Sequence, residues 1–137
     1  MKVVLDTNVL ISVLVFRKKL QKLFDCLKYQ KITPCFTNKT FQEFQRVLRY
    51  LKIKKIIEES SLSIQEIEDA VLEIGEFHKK YPNIQIIKED QADNLILACA
   101  LVASVNYIVS GDKHLLNLKK FQNIPILTPK QFLAEIK

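Results

Sequence analysis

Short apolar runs recur along this chain, each too brief for a buried helix and each followed by a stretch with helical periodicity. Lys2-Val3-Val4-Leu5 opens the pattern and gives way at once to Asp6-Thr7-Asn8, three side chains that favour helix starts. One helix is expected through about Leu14, and a second near residues 19–29. Ile32 to Phe36 reads as a strand. Phe41, Phe44, Leu48 and Leu51 then fall three and four apart, as an apolar helix face requires. Ser63-Ile64-Gln65-Glu66 has the capping-box pattern. The stripe Ile64, Ile67, Val71, Ile74 and Phe77 predicts a helix that stops before Pro82. Ile84 to Ile87, Tyr107 to Ser110 and Pro125 to Leu127 read as three more strands. Residues 90–103 read as a mostly buried helix. Gly111-Asp112 turns the chain into a short helix, and Pro129 stands where a last helix begins.

Strands alternating with helices imply a parallel sheet covered on both faces. The expectation is an α/β three-layer sandwich: a central, mainly parallel five-stranded sheet flanked by helices, with residues 1–137 forming a single domain. With 48% hydrophobic residues the chain can bury a core, and with two Gly and four Pro its loops should be short. No apolar run approaches the roughly 20 residues of a membrane span. The first apolar run is broken too early for a secretory leader. Cys26, Cys35 and Cys99 form no metal-ligand pattern and read as reduced, mostly buried thiols. A cytoplasmic setting is expected.

In parallel sheets, ligands bind beyond the carboxyl ends of the strands. That rule selects four acids. Asp6 ends the first strand, and Asp112 follows the strand at Tyr107. Glu43 and Asp93 lie in the first turns of helices. Gathered carboxylates raise one another's pKa, and a divalent cation removes the conflict. Mg²⁺ and Mn²⁺ take such oxygen ligands and can activate a water against phosphorus. Each acid also has a structural explanation. Asp6 and Asp112 could cap helices, Glu43 could complete a capping box with Thr40, and Asp93 could favour a helix dipole. Taken together, in this order and at equivalent ends, they point to function.

These segments resemble the PIN domain, in particular its toxin-like (VapC-like) branch. Val3 to Leu10 is similar to the family's opening strand and D-x-N. Thr40-Phe41-Gln42-Glu43-Phe44, the run from Asp90 to Ala98, the run from Tyr107 to Leu116 and the run from Ile126 to Leu133 resemble the later motifs in order. The resemblance implies a ribonuclease that hydrolyses single-stranded RNA with one or two Mg²⁺ or Mn²⁺ ions. Asp6, Glu43, Asp93 and Asp112 would be its metal-site and catalytic acids. Asn8 would orient Asp6, with Thr7 and Ser110 in support. Ala92, Asn94 and His114 stand where relatives often carry acids. A homodimer and silencing by an antitoxin protein are further implications.

Net charge is +6, but residues 1–57 hold 13 Lys and Arg against Asp6, Asp25 and Glu43. Arg17, Lys18, Lys19 and Lys22 form one basic cluster, and Arg46, Arg49, Lys52, Lys54 and Lys55 another. They are candidates for holding RNA phosphates, with solvated helix faces as the alternative. Arg46, three after Glu43, can also pair with it. His78 reads as an exposed helix residue. Two other functions share parts of this pattern. A haloacid-dehalogenase-type phosphatase needs D-x-D where this chain has Asn8. A non-catalytic RNA- or partner-binding module would not need all four acids.

Overall fold

A computed structural model describes residues 1–16, 20–79 and 91–136. β1 (Lys2–Leu5) runs into α1 (Thr7–Ile11), which continues as a π-helical turn over Ser12–Phe16. α2 (Gln21–Lys28), β2 (Thr33–Thr37), α3 (Asn38–Leu48), α4 (Leu51–Glu59) and α5 (Ile64–Ile74) follow. Then come β3 (Glu76–His78), α6 (Gln91–Ala103), β4 (Tyr107–Val109), α7 (Lys113–Leu118), β5 (Lys120–Phe121), β6 (Ile124–Leu127) and α8 (Pro129–Glu135).

The sheet order is β3-β2-β1-β4-β6-β5, and every pairing is parallel except β5 with β6. Strand alternation sends side chains to two cores. Val3, Leu5, Phe36 and Val109 pack on one face, with Leu23 of α2, Phe44 and Leu48 of α3 and Phe132 of α8. Val4, Cys35, Ile108 and Ile126 pack on the other, with Ile96, Leu97 and Cys99 of α6 and Leu115 of α7. This is the expected three-layer α/β sandwich.

The sheet has six strands among the described residues, not five. Two of the six, β3 and β5, are not among the expected strands; β5 forms a hairpin with β6, and Phe121 pairs with Ile124 across a two-residue loop. Gln122 and Asn123 both hold positive φ, 51° and 67°, as a tight hairpin requires. The strand expected at Ile84 to Ile87 lies outside the described residues, as do Arg17, Lys18, Lys19 and Asp90.

The α5 helix ends earlier than its apolar stripe suggests. Gly75 is its C-cap, and Phe77 and His78 belong to β3 rather than to the helix. Phe77 stacks on Phe36 with ring centres 5.2 Å apart. A Cβ at Gly75 would come within 2.9 Å of that Phe77 ring and of the Val71 carbonyl oxygen, so glycine permits the turn. Correspondingly, His78 is a half-buried strand residue with Nε2 2.7 Å from Glu76 Oε2. Leu51 is exposed and starts α4 instead of extending the α3 face. The helix placed near residues 19–29 begins at Gln21.

Candidate metal centre

Asp6 leaves β1 at the carboxyl edge, where its backbone N–H donates to Val109 O at 2.9 Å. It holds the N-cap position of α1 without making a side-chain capping bond. Its carboxylate is held from the neighbouring strand end: Ser110, fully buried, donates its hydroxyl to Asp6 Oδ2 at 2.6 Å. The same Ser110 oxygen accepts the Asp112 N–H at 2.9 Å. Asp112 does cap a helix, since its Oδ1 accepts N–H groups from His114 at 2.8 Å and Leu115 at 3.4 Å.

Burial pushes the Asp6 carboxyl above its usual range, and the nearby Asp112 charge adds to the rise. The Ser110 hydroxyl and the backbone N–H groups of Asn8 and Thr7 oppose it. Asp6, Asp112 and Asn8 line one cavity of about 370 Å³, together with Val9, Ser12, Leu20, Gly111 and Pro129. Thr7 is buried at the start of α1, beside this cavity rather than among its lining residues.

The other two acids sit differently. Glu43 is in the second turn of α3, held by Arg46, whose Nη2 lies 2.7 Å from Oε1 and whose Nε lies 3.1 Å from Oε2. It takes no part in capping: Thr37 and Thr40 form the box at that helix start. Asp93 is buried in the first turn of α6. The chain beyond α6 returns to the start of β1, where Asn106 exchanges hydrogen bonds with Lys2. The first turn of α6 therefore lies toward the carboxyl edge. Neither Glu43 nor Asp93 lines the Asp6–Asp112 cavity, and among the described residues no three His, Cys, Asp or Glu side chains cluster closely enough to hold a metal.

The donor set present is thus two acidic residues lining one cavity, the carboxyl of Asp6 raised by burial and by the charge of Asp112. That fits a hard divalent cation. Mg²⁺ commonly takes one or two carboxylates and keeps several waters, and a cation would relieve the repulsion that raises Asp6.

Two of the candidate RNA-binding arginines, Arg46 and Arg49, are engaged within the chain. Arg46 forks onto Glu43 and lies over the Tyr50 ring, and Arg49 forks onto Glu68 with both contacts at 3.1 Å. Ser12 and Pro129, not among the candidate site residues, also line the cavity. Ser12 lies four after Asn8, one helical turn on, and Pro129 follows the end of β6. The carboxyl-edge rule that selected Asp6 would have selected Pro129 too.

A family model described as PIN domain matches residues 2–114 of the chain. Searches of curated proteins and of solved structures give no match.

Proposed function

Because the chain belongs to the PIN-domain family, whose members are generally nucleases, we propose that it is a metal-dependent ribonuclease acting on single-stranded RNA. One observation carries this reading. Asp6 and Asp112 face a shared cavity, with Ser110 bridging them through one hydroxyl.

In this reading Asp6 and Asp112 would hold Mg²⁺ or Mn²⁺, and Glu43 of α3 and Asp93 of α6, which do not line the cavity, would complete the acidic set. The ion, when bound, supplies an activated water and stabilises charge on the phosphate. The protein supplies the rest. Ser110 fixes the rotamer of Asp6 and favours its charged form. The two N–H groups on Asp112 Oδ1 pin that carboxylate and leave Oδ2 for a ligand. Asn8 and Ser12 add two polar residues to the cavity lining.

The proposal extends to the toxin role that the sequence motifs suggest, with an antitoxin protein as regulator and a homodimer as working form. The test is direct. Purified protein is incubated with mixed cellular RNA plus Mg²⁺ or Mn²⁺, or plus chelator, and the products are sequenced. Metal-dependent fragments absent from an Asp6→Asn control are expected. Intact RNA under both metals overturns the reading.

A further inference from the structure

The Asp6–Asp112 cavity shares two lining residues, Leu20 and Pro129, with a larger open groove of about 980 Å³ that involves α2 and α8. Much of the groove lining is apolar, including Ile32, Leu133 and Ile136. Three exposed lysines also line it: Lys22, Lys31 and Lys130. The acid in the lining is Asp25, which already accepts the Gln21 amide at 3.0 Å. Among the described residues, none of the three lysines has an ion-pair partner, whereas Arg46 and Arg49 are bound by Glu43 and Glu68.

We propose that this groove is the track along which a single-stranded polynucleotide reaches Asp6 and Asp112. Its phosphates sit on Lys22, Lys31 and Lys130, and its bases lie against the apolar wall. Three arguments support that occupant. Cations without internal partners fit a phosphodiester backbone. An apolar wall suits base faces, which a duplex keeps stacked inside. Continuity through Leu20 and Pro129 delivers the backbone to the carboxylates. The inference rests on the nuclease reading for its substrate, and it moves phosphate binding away from Arg46 and Arg49.

The test uses the whole protein with chelator, so that binding is read without cleavage. The probe is a short, fluorescently labelled oligouridylate. The variant is Lys22→Gln/Lys31→Gln/Lys130→Gln, compared with Arg49→Gln. The triple variant should raise Kd by about tenfold or more and flatten the salt dependence by about 2 in log–log slope, at roughly 0.7 per phosphate contact on a single strand. Arg49→Gln should leave that slope nearly unchanged. Cys26 is half-buried and lines the groove, so bound oligonucleotide should slow its alkylation in the unmodified protein. This second readout needs no substitution and is immune to misfolding of a variant.

Wild-type affinity and salt slope in the folded triple variant overturn the groove, as does Cys26 alkylation indifferent to RNA. Protection of Cys26 by polyglutamate but not by oligouridylate also overturns it, in favour of an acidic protein segment. The nuclease reading fails separately, by absence of metal-dependent cleavage in wild-type protein that still binds RNA through these lysines.

Discussion

The Ser110 hydroxyl donates to Asp6 Oδ2 at 2.6 Å while its oxygen accepts the Asp112 N–H at 2.9 Å, so one buried atom ties the Asp6 carboxylate to the backbone of Asp112. Ser110→Ala removes both bonds and leaves buried polar groups unmade, which should cost about 1–3 kcal/mol of stability. Loss of a group that orients a ligand commonly lowers metal affinity or activity by about 10–100-fold. The variant should therefore bind Mn²⁺ less tightly in calorimetry and cleave RNA more slowly. Unchanged metal affinity in a folded Ser110→Ala protein would remove Ser110 from the site.

Asp6→Asn should separate stability from activity. Burial and the Asp112 charge raise the Asp6 carboxyl, so ionising it destabilises the metal-free fold at neutral pH. Asparagine keeps the shape and an acceptor for Ser110 but carries no charge. In chelator the variant should be more stable by an amount of order 1 kcal/mol. That gain should fade as pH falls and Asp6 itself becomes protonated. With saturating Mg²⁺ the order should reverse, because ligand binding to the folded state stabilises only the protein that can bind. Melting curves in chelator and in Mg²⁺ decide the matter. Equal stability under both conditions contradicts the assignment.

Much of this was legible before any coordinates, because strand–helix alternation fixes which chain ends share an edge. Asp6 follows β1 directly and Asp112 follows β4 after Ser110 and Gly111, so the parallel-sheet rule places both at one edge. Glu43 and Asp93 are harder, because a helix start fixes the edge but not the direction of the side chain. Arg46, one turn on, competes for Glu43. Phe77 continued the helical stripe of α5 by period alone, yet Gly75 ends that helix and Phe77 joins Phe36 across the sheet. The β5–β6 hairpin carries little sequence signal because its turn uses Gln122-Asn123, not a glycine-containing pair. The groove lysines are scattered over positions 22, 31 and 130, and only the packing of α8 beside α2 unites them.

Arg46 should act as a restraint on Glu43 rather than as an RNA ligand. Its guanidinium forks onto both carboxylate oxygens. Arg46→Ala frees that carboxylate for a cation. Mn²⁺ affinity by calorimetry should be equal to or tighter than wild type, whereas Glu43→Gln should weaken it. Weaker metal binding in Arg46→Ala would show that the pair supports the site instead of competing with it.

Two of the three thiols should be chemically silent in the native state. Burial first of all pushes Cys35 up to about 12, and it likewise pushes Cys99 up to about 11. The thiolate is the reactive form, and both side chains are shielded in the core. An aromatic disulfide reagent at neutral pH should label Cys26 readily, and Cys35 and Cys99 only after denaturant is added. Rapid labelling of all three without denaturant would mean that the α6 face of the sheet opens.

The Arg49–Glu68 pair should set part of the acid sensitivity of the fold. The Arg49 guanidinium, donating to both oxygens of Glu68, holds that carboxyl below its ordinary value, with Gln45 assisting and burial opposing. A carboxyl depressed in the folded state contributes stability that is fully present above its unfolded pKa. That contribution is lost as pH falls through the folded value. The Glu68 side chain is only 6% exposed but Arg49 is 51% exposed, so solvent screening keeps the pair's worth near about 1 kcal/mol. Glu68→Gln should therefore lower the urea midpoint at pH 7 and narrow its gap from wild type in acid, below about pH 4. A gap that stays constant from neutral to acidic pH would mean that the contribution of Glu68 lies in packing between α3 and α5, not in its charge.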